Sequence, residues 1–235
     1  MTDEAPKSTR GNVQDKVLSQ LRYGIMSGMF VPGQVFSLRK LAAVFGTSPM
    51  PVRESLSRLI AANALEELPN RSVGVPRLSA ESLVELYELR VRVEGLAIRI
   101  ATQRATTEDV SHLRAINETL KEAHDTGNMS KVLEINQKFH FFLYGLTGSS
   151  ILLPIIEGLW LRCGPTMYFS LSTPKLWDTS SHIDILYALE KRDPDAAEEA
   201  MRKDIMTSGA FLIEQAQKGV RTGPIADFAG IFGDN

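Results

Sequence analysis

Cysteine is almost absent: Cys163 is the only one in 235 residues. Internal disulfides are therefore excluded, and with them the stapled folds of small secreted domains. Long apolar runs are missing too. The most apolar stretch, ILLPIIEGLWL at 151–161, falls well short of the ~20 residues a bilayer requires and contains Pro154 and Glu157. The first residues, MTDEAPKSTRGN, lack the apolar centre of a signal peptide. These gaps predict a cytoplasmic protein with no membrane partner. A strong charge of one sign is also lacking, since 26 basic and 28 acidic side chains leave a net −2. An evenly spread balance of this kind would exclude a nucleic-acid binder.

The charge is not even. Residues 1–75 hold nine Lys and Arg against six Asp and Glu, a balance of +3. The other 160 residues hold 17 against 22, a balance of −5. Only the front of the chain is suited to meet phosphate.

That front centres on residues 37–62, SLRKLAAVFGTSPMPVRESLSRLIAA. Leu38, Leu41 and Ala42 share one face of a short helix over 37–45. Val52, Leu56, Leu59 and Ile60 do the same in a second helix opening at Pro49 or Pro51. Gly46 supplies the turn between them, and Ser48 is placed to cap the second helix with its hydroxyl. Prolines fit such a helix only in its first turn. The layout is a helix-turn-helix, whose second helix enters the major groove N-terminus first. An amphipathic helix over 13–27 precedes it, and two short strands at 64–68 and 73–76 follow, around a Pro69-Asn70-Arg71-Ser72 turn. Three helices and a terminal hairpin make a winged helix with Arg71 at the wing tip.

From residue 79 the periodicity is helical throughout. Helices are predicted over 79–102, from Thr106 or Thr107 to 125, and over 129–147, 149–171, 179–191 and 194–217, the last opened by Asp193-Pro194. The fold class is mainly α: a winged helix-turn-helix over 11–77, then an all-helical bundle over 79–217. Residues 1–10 and the tail from 218 to 235 are expected to be loose.

Polar residues interrupt the inward stripes of the bundle. Arg90 falls in the series Leu83, Leu86, Val93, Ala97, Ile100, and Asp204 falls among Ala197, Met201, Ser208 and Phe211. His182 aligns with Ile185, Leu186 and Leu189. Buried charges must be paired, metal-bound or turned to a cavity, so these three predict a polar pocket inside the bundle. Asn136 and His140, four residues apart on one face, join it. Arg90 can pair with Glu94, also four residues on, or clamp a carboxylate with its planar fork. Trp160, Tyr168, Phe169 and Trp177 read as core or pocket wall, Cys163 as a buried filler, and His112 and His124 as surface residues.

The PG loop at 32–33, the PVRESLSRL helix and the Asn70-Arg71 wing resemble the GntR family of bacterial transcription regulators. LYELRVRVEGLAIRIA, KFHFFLYGLTGS and SHIDILYALEKRDPDAAEEAMRKDI, in that order, resemble the FCD ligand-sensing domain of its FadR-type branch. The resemblance implies a homodimer on a palindromic double-stranded DNA operator, acting as a repressor under a small organic acid. It places Arg39, Ser48, Met50, Pro51, Arg53, Arg58 and Arg71 at the DNA, and Arg90, Glu94 and Trp160 at the effector. Pro49 stands where many relatives carry an arginine, which removes a guanine contact, and Ser72 stands where they commonly carry glycine. The resemblance also implies one divalent metal (zinc, nickel or manganese) on Asn136, His140, His182 and Asp204. Asn136 replaces an aspartate of the family pattern and Asp204 a histidine. Two alternatives were weighed: a metallohydrolase or lyase built on His140, His182 and Asp204, and a bundle that only dimerises. No general base, nucleophile elbow or phosphate loop supports the enzyme. A collapsed interior with Arg90 internally paired would favour the second alternative.

Overall fold

A computed structural model describes residues 9–220 except 70, 174 and 177, with side chains from residue 13 onward. The expectations for residues 1–8, the Asn70 position in the wing, Trp177 and the tail beyond 220 fall outside the described residues.

The head opens with α1 (Thr9–Met26), four residues earlier than the apolar periodicity begins, because a polar first turn leaves no periodic signal. Val17, Leu21 and Ile25 of α1 are buried against Val52, Leu56 and Leu59 of α3 (Pro49–Ala61). The intervening α2 (Leu38–Val44) adds Leu41 and Ala42 to this core, and Ser37 caps it by accepting from the Lys40 amide. Gly46 turns the chain between α2 and α3 at φ +58°, a conformation that penalises any Cβ. The helix-turn-helix is present as the sequence predicts.

Two local expectations are corrected. Ser48 is the N-cap of α3, but its hydroxyl makes no capping bond. An N-cap side chain bonds the amide at the second or third helical position, and the third is Pro51, which has no N–H. Pro51 itself is buried, so its ring packs into the head and is withdrawn from the expected DNA-contact set.

The wing is shorter than predicted and has a third strand. β2 (Glu66–Glu67) and β3 (Val73–Gly74) pair antiparallel, with Glu66 opposite Gly74 and Glu67 opposite Val73. Ala64 and Leu65 do not pair. They are buried, and their amides bond back to the Leu59 carbonyl at the end of α3. β1 (Val35–Phe36) lies on the other side of β3, giving the order β1-β3-β2. A two-residue strand shows no alternation, so β1 leaves no sequence signal. Phe36 earns its place by packing edge-to-face on Phe30, ring centres 4.9 Å apart.

Six helices form the bundle: α4 (Ala80–Arg104), α5 (Thr107–Asp125), α6 (Met129–Gly145), α7 (Leu152–Leu171), α8 (Ser180–Lys191) and α9 (Pro194–Gln217). The predicted caps are present. Thr106 and Asp109 form a reciprocal capping box on α5, and Asp193 accepts from two first-turn amides of α9. α4 packs along α9, α5 against α6 and α8, and α8 against α9. α7 touches α4, α6 and α9 on one side and α1 of the head on the other. Its Pro165 lacks the N–H that would bond the Leu161 carbonyl, so the helix has a break in its ladder where it meets the head. Among the described residues no helix is long and apolar enough to cross a membrane.

Candidate effector site and DNA-reading surface

The outer face of α3 carries Met50, Arg53, Glu54 and Ser57, all exposed and spaced three or four residues apart. Val52, Ser55, Leu56 and Leu59 hold the opposite face in the core. No ion pair to Arg53 occurs among the described residues, so its guanidinium is presented outward. Arg39, on the first turn of α2, is exposed, as is Ser48. Arg58 comes within 3.9 Å of Asp15, both well exposed, a pair too wet to hold the arginine from DNA. Arg71 sits at the wing tip with φ +60°, its amide bonded to the Leu68 carbonyl.

The polar residues of the bundle converge. Arg90, Glu94, Asn136, His140, His182 and Asp204 are all buried. Arg90 donates to Glu94 through Nε at 2.7 Å and Nη2 at 3.3 Å, and its guanidinium lies over the Tyr87 and Trp160 rings, 5.1 and 5.2 Å from their centres. Of the two roles open to Arg90, the internal pair is the one realised. Tyr144 then donates its hydroxyl to Glu94 and meets His140 Nδ1 at 3.2 Å. On the far side, His140 Nε2 faces Asp204 Oδ2 at 3.3 Å, and His182 Nε2 faces Asp204 Oδ1 at 3.6 Å. Ser181 donates to Asp204 Oδ1 at 2.6 Å, and His182 Nδ1 meets the Asn117 carbonyl oxygen at 3.2 Å. Phe139 stacks on the His182 ring at 4.0 Å and fixes its plane. Asn136 turns its amide nitrogen to Met167 Sδ, 4.0 Å away.

The hydrogen-bond partners favour one tautomer for each histidine. Asn117 offers an oxygen, so His182 must carry its proton on Nδ1. The Tyr144 proton goes to Glu94, so the Tyr144 oxygen accepts from His140 Nδ1–H. Both Nε2 atoms face the Asp204 carboxylate, a place suited to a positive centre. A proton can fill that place for one imidazole; a divalent cation is the other candidate, since one donor atom from each of the three groups comes near the others. Ligands bound at the ~2.0–2.1 Å usual for zinc lie about 3.3 Å apart at a tetrahedral edge; the 3.3 and 3.6 Å separations here run to the two different oxygens of Asp204. One ligand atom from each of His140, His182 and Asp204 falls within 4.8 Å of the others. The residues fit a metal.

Burial pushes the His182 imidazole down to about 3, with Asp204 pulling it up and His140 adding to the fall. Burial works against ionising Asp204, but the bond from His140, the charges of both imidazoles and the Ser181 hydroxyl hold its carboxyl well below the usual range. An imidazole kept neutral in the fold takes up a proton on unfolding. Its contribution is complete above about 6.5 and is lost as pH falls toward about 3; the Asp204 contribution is lost in the same direction at lower pH. Chelated protein should therefore lose its helical signal as acid is added below pH ~6, which a circular-dichroism titration checks. A flat stability profile down to pH ~4 would contradict this burial of His182.

Three participants escaped the sequence reading: Tyr144, Asn117 and Ser181. Asn117 stands in the buried stripe of α5 among Leu113, Ile116 and Leu120, the same anomaly that exposed Asp204. Tyr144 lies one turn beyond His140. Ser181 left no signal. Cys163 is a buried filler as expected, its thiol raised to about 12 chiefly by burial, and His112 and His124 are exposed.

Residues 85–206 match the FCD domain family, and residues 13–75 match the bacterial regulatory proteins of the gntR family. The chain is a GntR-family regulator. It is similar to the HTH-type transcriptional regulator McbR of Escherichia coli K12, 28% identical over 204 residues, covering 85% of this chain and 92% of McbR. The Nta operon transcriptional regulator of Aminobacter aminovorans is 33% identical over 171 residues, covering 72% and 80%. The solved structure of E. coli McbR/YncC superposes with a TM-score of 0.79 at 26% identity, covering 86% of this chain and 98% of that one. This GntR-family regulator is thus a DNA-binding transcription regulator with a ligand-sensing bundle. The enzyme alternative has no support, because the matched families are regulators.

Proposed function

We propose that this regulator acts in the cytoplasm as a homodimeric repressor on a palindromic operator, and that a small carboxylate bound beside a divalent metal releases it. The observation that carries this reading is the convergence of two imidazole Nε2 atoms on one buried carboxylate. His140, His182 and Asp204 would hold the ion, with the Asn136 carbonyl as a fourth donor, and Tyr144 and Asn117 would orient the two rings from behind. Zinc, nickel or manganese suit such nitrogen and oxygen ligands.

Charge bookkeeping supports a carboxylate ligand only with the metal in place. Arg90 is neutralised by Glu94, and the groups around Asp204 are two imidazoles and the Ser181 hydroxyl, with no Lys or Arg in ion-pair reach among the described residues. An anion would be repelled. The divalent ion reverses the sign and supplies the charge that an organic acid needs. Trp160 contributes a further donor: its indole N–H is buried without an acceptor among the described residues, beside both His140 and Arg90. Arg90 and Glu94 serve as positioning residues, holding Trp160 and Tyr144. Leu89 and Leu96, half exposed and seven apart on one face of α4, offer a seam for the second copy.

α7 is the route from pocket to head. Trp160 and Met167 face the site, while Glu157 pairs with Arg22 of α1 and Gly164 meets the α1 backbone directly. A shift of α7 around Pro165 would re-aim the head. Calorimetry with a panel of short mono- and dicarboxylates tests the reading. Binding by zinc-loaded protein that vanishes on chelation is expected. Equal binding by chelated protein would return the anion site to Arg90, and no binding in either state would leave the bundle as a dimerisation module.

A further inference from the structure

The DNA-facing end of α3 is unusual in what it can offer. Positions one and three of the helix are Pro49 and Pro51, so two of its first three residues have no N–H. A run of first-turn amides, the usual cradle for a phosphate, is therefore unavailable. The Ser48 hydroxyl, not consumed by capping, can take that phosphate instead. Met50, 52% exposed, lies in this turn on the same face as Arg53. On the same face stand the exposed polar residues Arg53, Glu54 and Ser57. About half of the Met50 surface is left open among the described residues.

An apolar side chain at the tip of a major-groove helix has one matching group among natural base edges, the thymine C5 methyl. Met50 and Arg53 are three residues apart, a rise of about 4.5 Å along the helix, close to the ~3.4 Å between base pairs. We propose that Met50 is a specificity-determining residue that reads a thymine methyl in each half-site, next to the base pair read by Arg53. The flexible thioether adapts to the methyl surface, and thymine is selected there because every other base presents a polar edge to it. The inference rests on α3 being the reading helix. Its own failure is separable from a failure of that reading.

The test begins by selecting binding sites from a random-sequence duplex library with the full-length protein. Each thymine of the selected half-site is then replaced by deoxyuridine, which removes the methyl and nothing else. Wild-type protein should lose about fourfold per half-site at one position, roughly fifteenfold when both halves are changed, as expected for one methyl each. Met50→Ala should bind the thymine operator as weakly as wild type binds the uracil one, and should not distinguish the two. Met50→Leu should keep most of the discrimination. Because Met50 is exposed, none of these variants disturbs the core. No thymine whose methyl matters, or a thymine-to-uracil ratio unchanged in Met50→Ala, would overturn the proposal. Failure to enrich any duplex would overturn the DNA-reading role of α3 itself.

Discussion

Replacing Arg53 with alanine should reduce operator affinity at least about thirtyfold while leaving the fold intact. A bidentate arginine–guanine contact contributes about 1–3 kcal/mol of discrimination, and a symmetric dimer makes it twice. The combined loss is about 2–6 kcal/mol, which spans roughly thirtyfold to twenty-thousandfold. The side chain is exposed and unpaired among the described residues, so its removal leaves no buried partner behind. Titrations of wild-type and variant protein on operator and on unrelated duplex check this. Only the operator should be affected, and the slope of affinity against salt should hold. Arg39→Ala, if that side chain contacts phosphate, should instead weaken both duplexes alike and lower the salt slope by about one per half-site. Unchanged operator affinity in the Arg53 variant, or an equal loss on both duplexes, would remove it from the base-reading set.

The second large effect is expected at Gly164. A Cβ there would lie 2.7 Å from the Met26 carbonyl oxygen and 2.8 Å from Met26 Cα, with the Ile25 carbonyl closer still. These are backbone atoms of α1 and cannot rotate away. Gly164→Ala should therefore push the head off α7, at a cost of about 1–3 kcal/mol in stability, and Gly164→Val should do so more strongly. The bundle retains its site, so metal and ligand binding should persist. The ligand-dependent change in operator affinity should collapse to near unity. Gly158 lies on the same helix with nothing near its Cβ position. Gly158→Ala should keep the response and raise stability by up to about 1 kcal/mol. A full response in Gly164→Ala would show that the signal travels by another route.

How much of this was legible in the chain follows from what kind of signal each part leaves. Helical periodicity placed the nine helices of the described residues within a few positions, because each buries one stripe. The same periodicity picked out the buried polar cluster, since Arg90, His182 and Asp204 are visible as polar residues where the stripe demands apolar ones. Asn117 carries an identical mark and could have been read. β1 could not, because two residues cannot alternate. Ser48 and Pro51 depart from expectation for related reasons: residue type does not reveal whether a partner amide exists or which way a ring faces. The head–bundle contact was invisible. Gly164 and Pro165 look like flaws in a helix until α1 is seen packed against them. The pairing of Arg90 with Glu94 was read as one of two options, and only the side-chain geometry decides between them.

The most direct test of the account is the metal content of protein purified without chelator, measured by elemental analysis beside His140→Ala. The account predicts close to one zinc, nickel or manganese ion per chain, lost in the variant and recovered by neither added carboxylate nor raised pH. Wild-type protein that is folded, binds DNA and takes up no divalent ion when offered one would contradict it. The positive centre between His140, His182 and Asp204 would then be a proton, and the bundle's ligand would have to be sought as something other than an anion.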